Sequence, residues 1–147
     1  MKIIKATSEH IESLAELFDL YRQFYEQTSD IPAAKIFLAE RISKNESEIF
    51  LCCNDDGNVM GFTQLYPYFT SVGMKRAWIL NDLFVKKEFR KMGAAELLIN
   101  AVRKFASETD AAYVMLETQN SNEAACRLYE RTGFVKDDEH FYYYLKI

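Results

Sequence analysis

The chain has 147 residues, of which 49% are hydrophobic and 27% are charged, and its formal net charge is −4. The composition is that of an ordinary globular protein, and the length predicts one domain spanning residues 1–147. The acidic balance argues against a nucleic-acid-binding protein, because such proteins usually carry a basic surface.

The cysteines and histidines predict neither a disulfide framework nor a metal site. Cys52 and Cys53 are adjacent, Cys126 stands alone, and His10 and His140 have no partner at a ligand spacing. Such cysteine usage fits a reducing cytoplasm best. The N-terminal sequence MKIIKATSEH has no long apolar region, so no signal peptide is expected. No apolar run approaches the roughly 20 residues of a membrane span, so no membrane contact is expected either.

The N-terminal part of the chain predicts one strand and two helices. The segment MKIIKA is typical of a short strand, and apolar residues recur at helical spacing within residues 8–25, where Ser8 is a plausible N-cap. A second helix is predicted over residues 29–44, and Pro32 suits its first turn.

The middle of the chain predicts three strands. SEIFLCC and VMGFTQLYPYF are strand sequences joined by a hairpin turn at Asp56 and Gly57. AWILNDLFV is nearly continuous in apolar character, but Asn81 and Asp82 interrupt it. As neighbours on a strand, these two side chains are expected to point to opposite faces of the sheet.

The C-terminal part predicts a helix, a strand (AAYVMLET), a helix ending at Gly133, and two closing strands (FVKDD and EHFYYYLKI). The order β α α β β β α β α β β predicts an α/β (α+β) layer architecture. We expect a mixed, mostly antiparallel sheet of six or seven strands, flanked by four helices, with a central parallel β-α-β unit.

A basic turn stands out against the negative overall charge. Lys86, Lys87, Arg90 and Lys91 precede Gly93 and the start of a helix. Free N–H groups and the dipole at a helix N-terminus favour a phosphate, and glycine permits close backbone approach. The alternative is a solvated turn in which the glycine only eases a loop. Neither a P-loop nor a dinucleotide-binding glycine pattern is present.

The segment RKMGAA at residues 90–95 resembles the R/Q-x-x-G-x-G/A motif of the GNAT superfamily of N-acetyltransferases. LNDLFV resembles the strand that precedes this motif in the family, and NSNEAACRLYERTGF resembles its second signature. The matching residues of that signature are Asn122, Ala125, Tyr129, Gly133 and Phe134. Two positions depart from the commonest pattern, because Lys91 and Ala95 stand where glycine is frequent.

The resemblance implies acetyl-CoA as the acetyl donor and assigns residues to it. Backbone groups of Leu83, Phe84 and Val85 would bind the pantetheine arm as an added strand would. Asn122 would contact the same arm, or it could instead be the N-cap of the following helix. The pyrophosphate would be held by backbone N–H groups of the motif residues Arg90, Lys91, Met92, Gly93, Ala94 and Ala95.

Acetyl transfer to an amine needs a general base and a general acid. The resemblance places Tyr129 beside the cofactor sulfur, and a phenol with a pKa of about 10 could protonate a thiolate. The alternative for Tyr129 is core packing. In many relatives a glutamate on the fourth strand is the base. Here Asp82 could be the base or a structural residue, Asn81 could hold a relaying water, and Glu117 is a third option.

The leading prediction is an acetyl-CoA-dependent N-acetyltransferase, and the alternative is a catalytically weak acetyl-CoA-binding or regulatory module. Residues 62–85 resemble the histone/polyamine acetyltransferase-like branch, which implies a small amine, polyamine, amino acid or lysine side chain as acceptor. A homodimer is expected from the family and from the aromatic C-terminal strand. Residues that could line an acceptor slot, or else belong to core and surface, are Tyr21, Phe24, Tyr25, Glu26, Tyr66 and Tyr68.

Overall fold

The computed structural model describes residues 1–147, which group into two compact units, residues 1–117 and 118–147. The first unit contains a five-stranded sheet and three helices. Its elements are β1 Lys2–Lys5, α1 Ile11–Phe24, α2 Ile31–Ser43, β2 Glu48–Cys53, β3 Val59–Thr70, β4 Lys75–Val85, α3 Ala94–Glu108 and β5 Val114–Met115.

The strands of the first unit lie in chain order in the sheet, β1-β2-β3-β4-β5. Neighbouring strands from β1 to β4 are antiparallel, whereas β4 and β5 are parallel and are connected through α3. The predicted fold class, a mixed and mostly antiparallel sheet with four helices, is therefore confirmed. None of the helices combines the length and the hydropathy needed to cross a membrane.

Residues of the sheet alternate between two apolar layers. Ile49 and Leu51 of β2 belong to the buried cluster that contains Leu14 of α1 and Leu38 of α2. Phe50, which lies between them in sequence, instead contacts Phe105 of α3, with ring centroids 5.5 Å apart. This alternation is the period of two that a strand imposes. It places α1 and α2 on one face of the sheet and α3 on the other.

The second unit contains one helix, α4 Glu123–Arg131, followed by residues 132–147 without helix or strand. The prediction of strands in FVKDD and EHFYYYLKI is wrong, and the sheet has five strands instead of six or seven. Phe141, Tyr143 and Leu145 are nearly fully exposed. An alternating pattern favours a strand, but a strand also needs a hydrogen-bonded neighbour, which local sequence does not provide.

The connection between α1 and α2 is organised by Asp19, a carboxylate that is only 2% exposed. Its Oδ2 accepts hydrogen bonds from Gln23 Nε2 at 2.8 Å and Ser29 Oγ at 2.7 Å, and its Oδ1 accepts one from the Asp30 N–H at 2.7 Å. Burial alone would raise the pKa of Asp19, but these donors and Arg22 outweigh it and hold the pKa below its usual range.

We expect Asp19→Ala to destabilise the protein by about 3 kcal/mol at neutral pH, because three part-buried hydrogen bonds to the carboxylate are lost. Since the folded-state pKa is lowered, this stabilisation is present above the unfolded-state pKa and is lost as pH falls through the folded-state value. Urea unfolding of wild type and variant at about pH 7 and about pH 3 measures both effects. Asp55→Ala is the control, because Asp55 is exposed and pairs only with the N-terminal amine. Equal stability of wild type and Asp19→Ala at pH 7 would contradict the assignment.

Candidate active site

The turn from β4 into α3 has the backbone geometry of an anion-binding loop. A 3₁₀ turn, Lys87–Phe89, follows β4, and α3 begins at Ala94. Lys91 and Gly93 both adopt the left-handed conformation, with φ of 63° and 88°. This region favours glycine, and Lys91 occupies it at a cost of about 1 kcal/mol.

The first turn of α3 has no side-chain cap, because its N-cap residue is Gly93. The N–H of Leu97 donates to the Gly93 carbonyl at 3.0 Å, which is the usual hydrogen bond of a first helical turn. The N–H groups of Ala94 and Ala95 precede it, and at a helix start such groups have no acceptor within the helix and can bind an external one. A Cβ built on Gly93 would meet no atom within 4 Å. The space beside this helix start is therefore open.

Arg90 turns back toward the strand it follows. Its Nε donates to the Val85 carbonyl at 3.1 Å, and its guanidinium carbon lies 5.8 Å from the Phe84 ring centroid and 6.0 Å from that of Phe24. Arg90 thus fixes the turn as well as adding positive charge. Lys91 and Met92 are exposed beside it.

One side of β4 is open where the strand approaches this turn. Leu83, Phe84 and Val85 pair with β3 on one side. The parallel ladder on the other side joins only Trp78 and Ile79 to β5. The backbone groups of residues 80–85 on that side are therefore outside the sheet ladder. An extended ligand arm could bind there as an added strand does.

A bulge in β4 brings Asn81 and Asp82 together. In the pairing with β3, Gln64 faces Asp82 and Leu65 faces Leu80, so Asn81 is the extra residue. Asn81 Nδ2 donates to Asp82 Oδ1 at 3.1 Å. The prediction that the two side chains point to opposite faces is therefore wrong, because a bulge interrupts the alternation of a regular strand.

Asp82 is a buried carboxylate, 3% exposed, within a polar network. Gln64 Nε2 donates to its Oδ2 at 2.7 Å, and the Tyr21 hydroxyl is a further donor. Ser47 Oγ in turn donates to Gln64 Oε1 at 3.0 Å. Burial raises the pKa of Asp82 above its usual range, while the hydrogen bonds from Gln64, Tyr21 and Asn81 offset part of the rise.

Several of the predicted slot aromatics lie close to this carboxylate. Tyr21 and Tyr25 contact each other edge-to-face, with centroids 5.1 Å apart. Burial raises the pKa of the Tyr66 phenol to about 12, and the Asp82 charge adds to this rise. Burial and the same charge raise the pKa of Tyr25. Phe24 is 53% exposed and Tyr68 lies farther along β3, opposite Ala77.

The second unit contains the two remaining predicted residues. Asn122 is the N-cap of α4, and its side chain accepts a hydrogen bond from the Ala125 N–H at 3.2 Å. Tyr129 is half-buried on the same helix, and its ring contacts Phe134 at a centroid distance of 5.6 Å. Glu117, the third candidate base, is exposed and follows the short strand β5.

Three residues of the Asp82 environment were not predicted from the sequence: Gln64, Thr63 and Ser47. Thr63 Oγ1 donates to the Asp82 carbonyl at 2.8 Å, and both Thr63 and Gln64 are fully buried. The signal was present, because these two polar residues interrupt the apolar run of β3 in the sequence GFTQLY. Buried polar side chains need partners, and such interruptions on adjacent strands indicate a network.

Comparison with known proteins decides the family. The family model described as Acetyltransferase (GNAT) family matches residues 14–134. The chain belongs to the GNAT acetyltransferase family. The matched range includes the turn before α3, the Asp82 environment and the Tyr129 helix.

Relatives of the GNAT chain carry consistent names. It is 40% identical over 147 residues to a Bacillus subtilis (strain 168) protein named "Uncharacterized N-acetyltransferase YhfO", covering 100% of this chain and 98% of that one. It is 32% identical over 117 residues to a "Probable acetyltransferase" of Haemophilus influenzae (strain ATCC 51907 / DSM 11121 / KW20 / Rd), covering 80% of each.

A solved structure described as a crystal structure of a probable acetyltransferase superposes on this GNAT chain with a TM-score of 0.96. The two chains are 40% identical, and the match covers 100% of this chain and 98% of that one. Together with the family match, these relatives establish that the protein is an enzyme, an N-acetyltransferase of the acyltransferase class EC 2.3.1.

Proposed function

We propose that this enzyme takes the acetyl group of acetyl-CoA and passes it directly to a primary amine. The observation that carries the proposal is the turn into α3, where the left-handed Gly93 leaves the helix start uncapped and open. Helix amides and a positive dipole end suit a pyrophosphate. The residues proposed to hold the cofactor are Leu83, Phe84, Val85, Arg90, Lys91, Met92, Gly93, Ala94, Ala95 and Asn122.

Other features of the chain support acetyl-CoA as the proposed cofactor. The open side of residues 80–85 can hydrogen-bond an extended amide-containing arm, and Lys87 and Lys91 are exposed beside the helix start. Asn122 Oδ1 is engaged as the N-cap of α4, so its Nδ2 is the group proposed to reach the arm. Acetyl-CoA, when bound, supplies an activated thioester, so the chain needs no nucleophile of its own.

We assign the proton transfers to residues of this chain. The Asp82 carboxylate accepts the proton that the amine must lose, either directly or through a water held by Asn81. A backbone N–H of residues 83–85 donates to the carbonyl oxygen on which charge develops. The Tyr129 hydroxyl donates its proton to the departing sulfur, because a phenol with an ordinary pKa of about 10 is still protonated at neutral pH, and solvent then returns the proton.

The proposed acceptor is a cationic primary amine, such as a small amine, a polyamine, an amino acid or a lysine side chain. The support is the combination of the Asp82 carboxylate with the rings of Tyr21, Tyr25 and Tyr66, since aromatic faces and carboxylates both attract ammonium groups. A panel of such amines, assayed for released coenzyme A, tests this assignment. Cofactor binding without turnover of any amine would instead favour the catalytically weak binding module.

We further propose one catalytic domain, a homodimer and a cytoplasmic location. The family match spans both compact units, which supports a single functional domain. The exposed aromatic residues Tyr142 and Tyr143 offer a surface for a second subunit. The three free cysteines suit a reducing compartment. Analytical ultracentrifugation that found only a monomer would contradict the dimer.

Gly93→Ala tests the cofactor site directly. We expect calorimetry to show coenzyme A affinity reduced by about 10- to 100-fold, because a methyl group at the helix start separates the pyrophosphate from its amide donors. Gly57→Ala is a matched control: Gly57 has φ of 87° and equally open surroundings, but it lies in the β2–β3 turn. Both variants should lose about 1 kcal/mol of stability from left-handed strain. Equal coenzyme A affinity in both would contradict the proposal.

A further inference from the structure

A cavity of about 410 Å³ lies on the α3 face of the sheet at the C-terminal end of α3. Phe105 in its lining lies on α3, 12 residues after Gly93, which is a helix length of about 18 Å. Ser47 lines the cavity and also donates to Gln64 in the Asp82 network. The complete lining is Asn45, Ser47, Glu48, Pro67, Arg76, Trp78, Phe105 and Thr109.

Arg76 is the cation of this cavity. Its guanidinium carbon lies 5.0 Å from the ring centroids of both Phe69 and Trp78. Its carbonyl accepts a hydrogen bond from the Ala112 N–H at 2.8 Å, which fixes the backbone. No carboxylate of the chain lies within ion-pair distance of this guanidinium. A guanidinium positioned by two rings keeps the N–H groups along its edge for a planar anion.

The one carboxylate in the lining is already neutralised. Glu48 Oε2 lies 2.6 Å from Lys5 Nζ, and the same Lys5 ammonium lies 5.8 Å from the Phe105 ring centroid. An anion that entered the cavity would therefore meet the unpaired charge of Arg76 and an ion pair with no net charge. The net positive charge of these side chains favours a negatively charged ligand.

The remaining walls are flat and apolar. Trp78 is 4% exposed, and its ring lies 5.1 Å from that of Phe105. Its indole Nε1–H donates to Thr109 Oγ1 at 2.9 Å, so the polar edge of the ring is satisfied within the protein. Pro67 adds a further apolar surface. These walls suit a planar or compact hydrophobic group.

We propose that this cavity binds a small carboxylate with a flat apolar body. The carboxylate pairs with the Arg76 guanidinium edge, because the two planar groups match in geometry. The apolar body lies against Trp78 and Phe105. A phosphate dianion is a poorer match, since a single guanidinium would neutralise only part of its charge. The volume lies at the lower end of small-molecule sites. The proposal concerns binding and does not depend on acetyl transfer.

Trp78 is the single tryptophan of the chain, so its fluorescence reports on the cavity directly. The probe is phenylacetate, and the matched neutral analogue is phenylacetamide. We expect phenylacetate to cause a saturable change in Trp78 emission. Its affinity should exceed that of phenylacetamide by about tenfold or more, which is the contribution of one charge-assisted hydrogen-bond pair. A linear, unsaturable response, or equal affinity for the two compounds, would overturn the proposal.

Arg76→Gln and Arg76→Lys test the guanidinium. Because Arg76 stacks on Trp78, binding to these variants is measured by calorimetry, and circular dichroism checks that they fold. We expect both to lose about tenfold in phenylacetate affinity, since lysine keeps the charge but lacks the planar fork. Arg127→Gln is the control, because Arg127 pairs with Glu123 on α4 and does not line the cavity. Wild-type affinity in either folded Arg76 variant would overturn the assignment.

Discussion

Replacing Asp82 by asparagine is expected to lower kcat/KM for the amine by about 10²- to 10³-fold, the usual contribution of a general base. Coenzyme A affinity should remain at the wild-type level, because the proposed pyrophosphate contacts are made by the turn into α3. Asparagine has nearly the same shape but cannot accept the amine proton. Steady-state kinetics and calorimetry on the same preparation separate the two effects.

The pH dependence of the wild-type enzyme gives a second measurement on Asp82. Its pKa is raised by burial, so kcat/KM should rise with pH through a midpoint above the ordinary range of an aspartate. Asp82→Asn should lack this limb of the profile. A variant that keeps the same limb would show that another group titrates there.

Stability should change in the opposite direction from activity. Because the folded-state pKa of Asp82 is raised, the folded protein binds this proton more tightly than the unfolded chain does. As pH rises from the unfolded-state pKa to the folded-state pKa, ionisation of Asp82 therefore lowers the free energy of unfolding. Asp82→Asn removes this ionisation but also one of the two oxygens that accept from Gln64 and Asn81, so in urea unfolding its stability should no longer fall with pH over this range.

Two control variants distinguish the possible roles at this bulge. Asp56→Asn changes an exposed aspartate of the β2–β3 turn and should leave the kinetics unchanged. Asn81→Ala removes the side chain proposed to hold a relaying water. If Asn81→Ala lost the activity while Asp82→Asn kept it, Asp82 would be a structural residue and the base would have to be sought elsewhere.

Local sequence signals predicted the parts of the fold and site that depend on neighbours in the chain. The turn from β4 into α3 was predictable, because the basic residues, Gly93 and the helix start all lie within a few positions of one another. The hairpin at Gly57 was predictable for the same reason, and its positive φ agrees. These features require only local geometry.

Features that depend on pairing between distant segments were not predictable. The bulge at Asn81 is defined by the register with Gln64 and Leu65, 17 and 16 residues away in sequence, and it reverses the expected relation of Asn81 to Asp82. The C-terminal segment has a good strand pattern around Tyr143 but lies outside the sheet. Only the three-dimensional arrangement shows that Gln64 and Tyr21 hydrogen-bond Asp82.

Tyr129→Phe is expected to lower kcat by about 10²-fold, the lower part of the range for a general acid, while coenzyme A affinity stays at the wild-type level. Phenylalanine keeps the edge-to-face contact with Phe134, so the α4 region should fold normally. Only the hydroxyl group is lost, and a thiolate must then leave unprotonated. The measurement is kcat at saturating amine and acetyl-CoA, together with calorimetric titration of coenzyme A.

The matched control for this variant is Tyr143→Phe, because Tyr143 is 90% exposed in the C-terminal segment and has no proposed role in the reaction. Its kcat should equal that of wild type. The effect of Tyr129→Phe should shrink when the acyl donor is a thioester whose thiol has a lower pKa, since such a leaving group needs less protonation. Unchanged kcat in Tyr129→Phe would instead assign Tyr129 to packing against Phe134. If kcat fell equally with acetyl-CoA and with the thioester of the more acidic thiol, the hydroxyl would position the donor instead of transferring a proton.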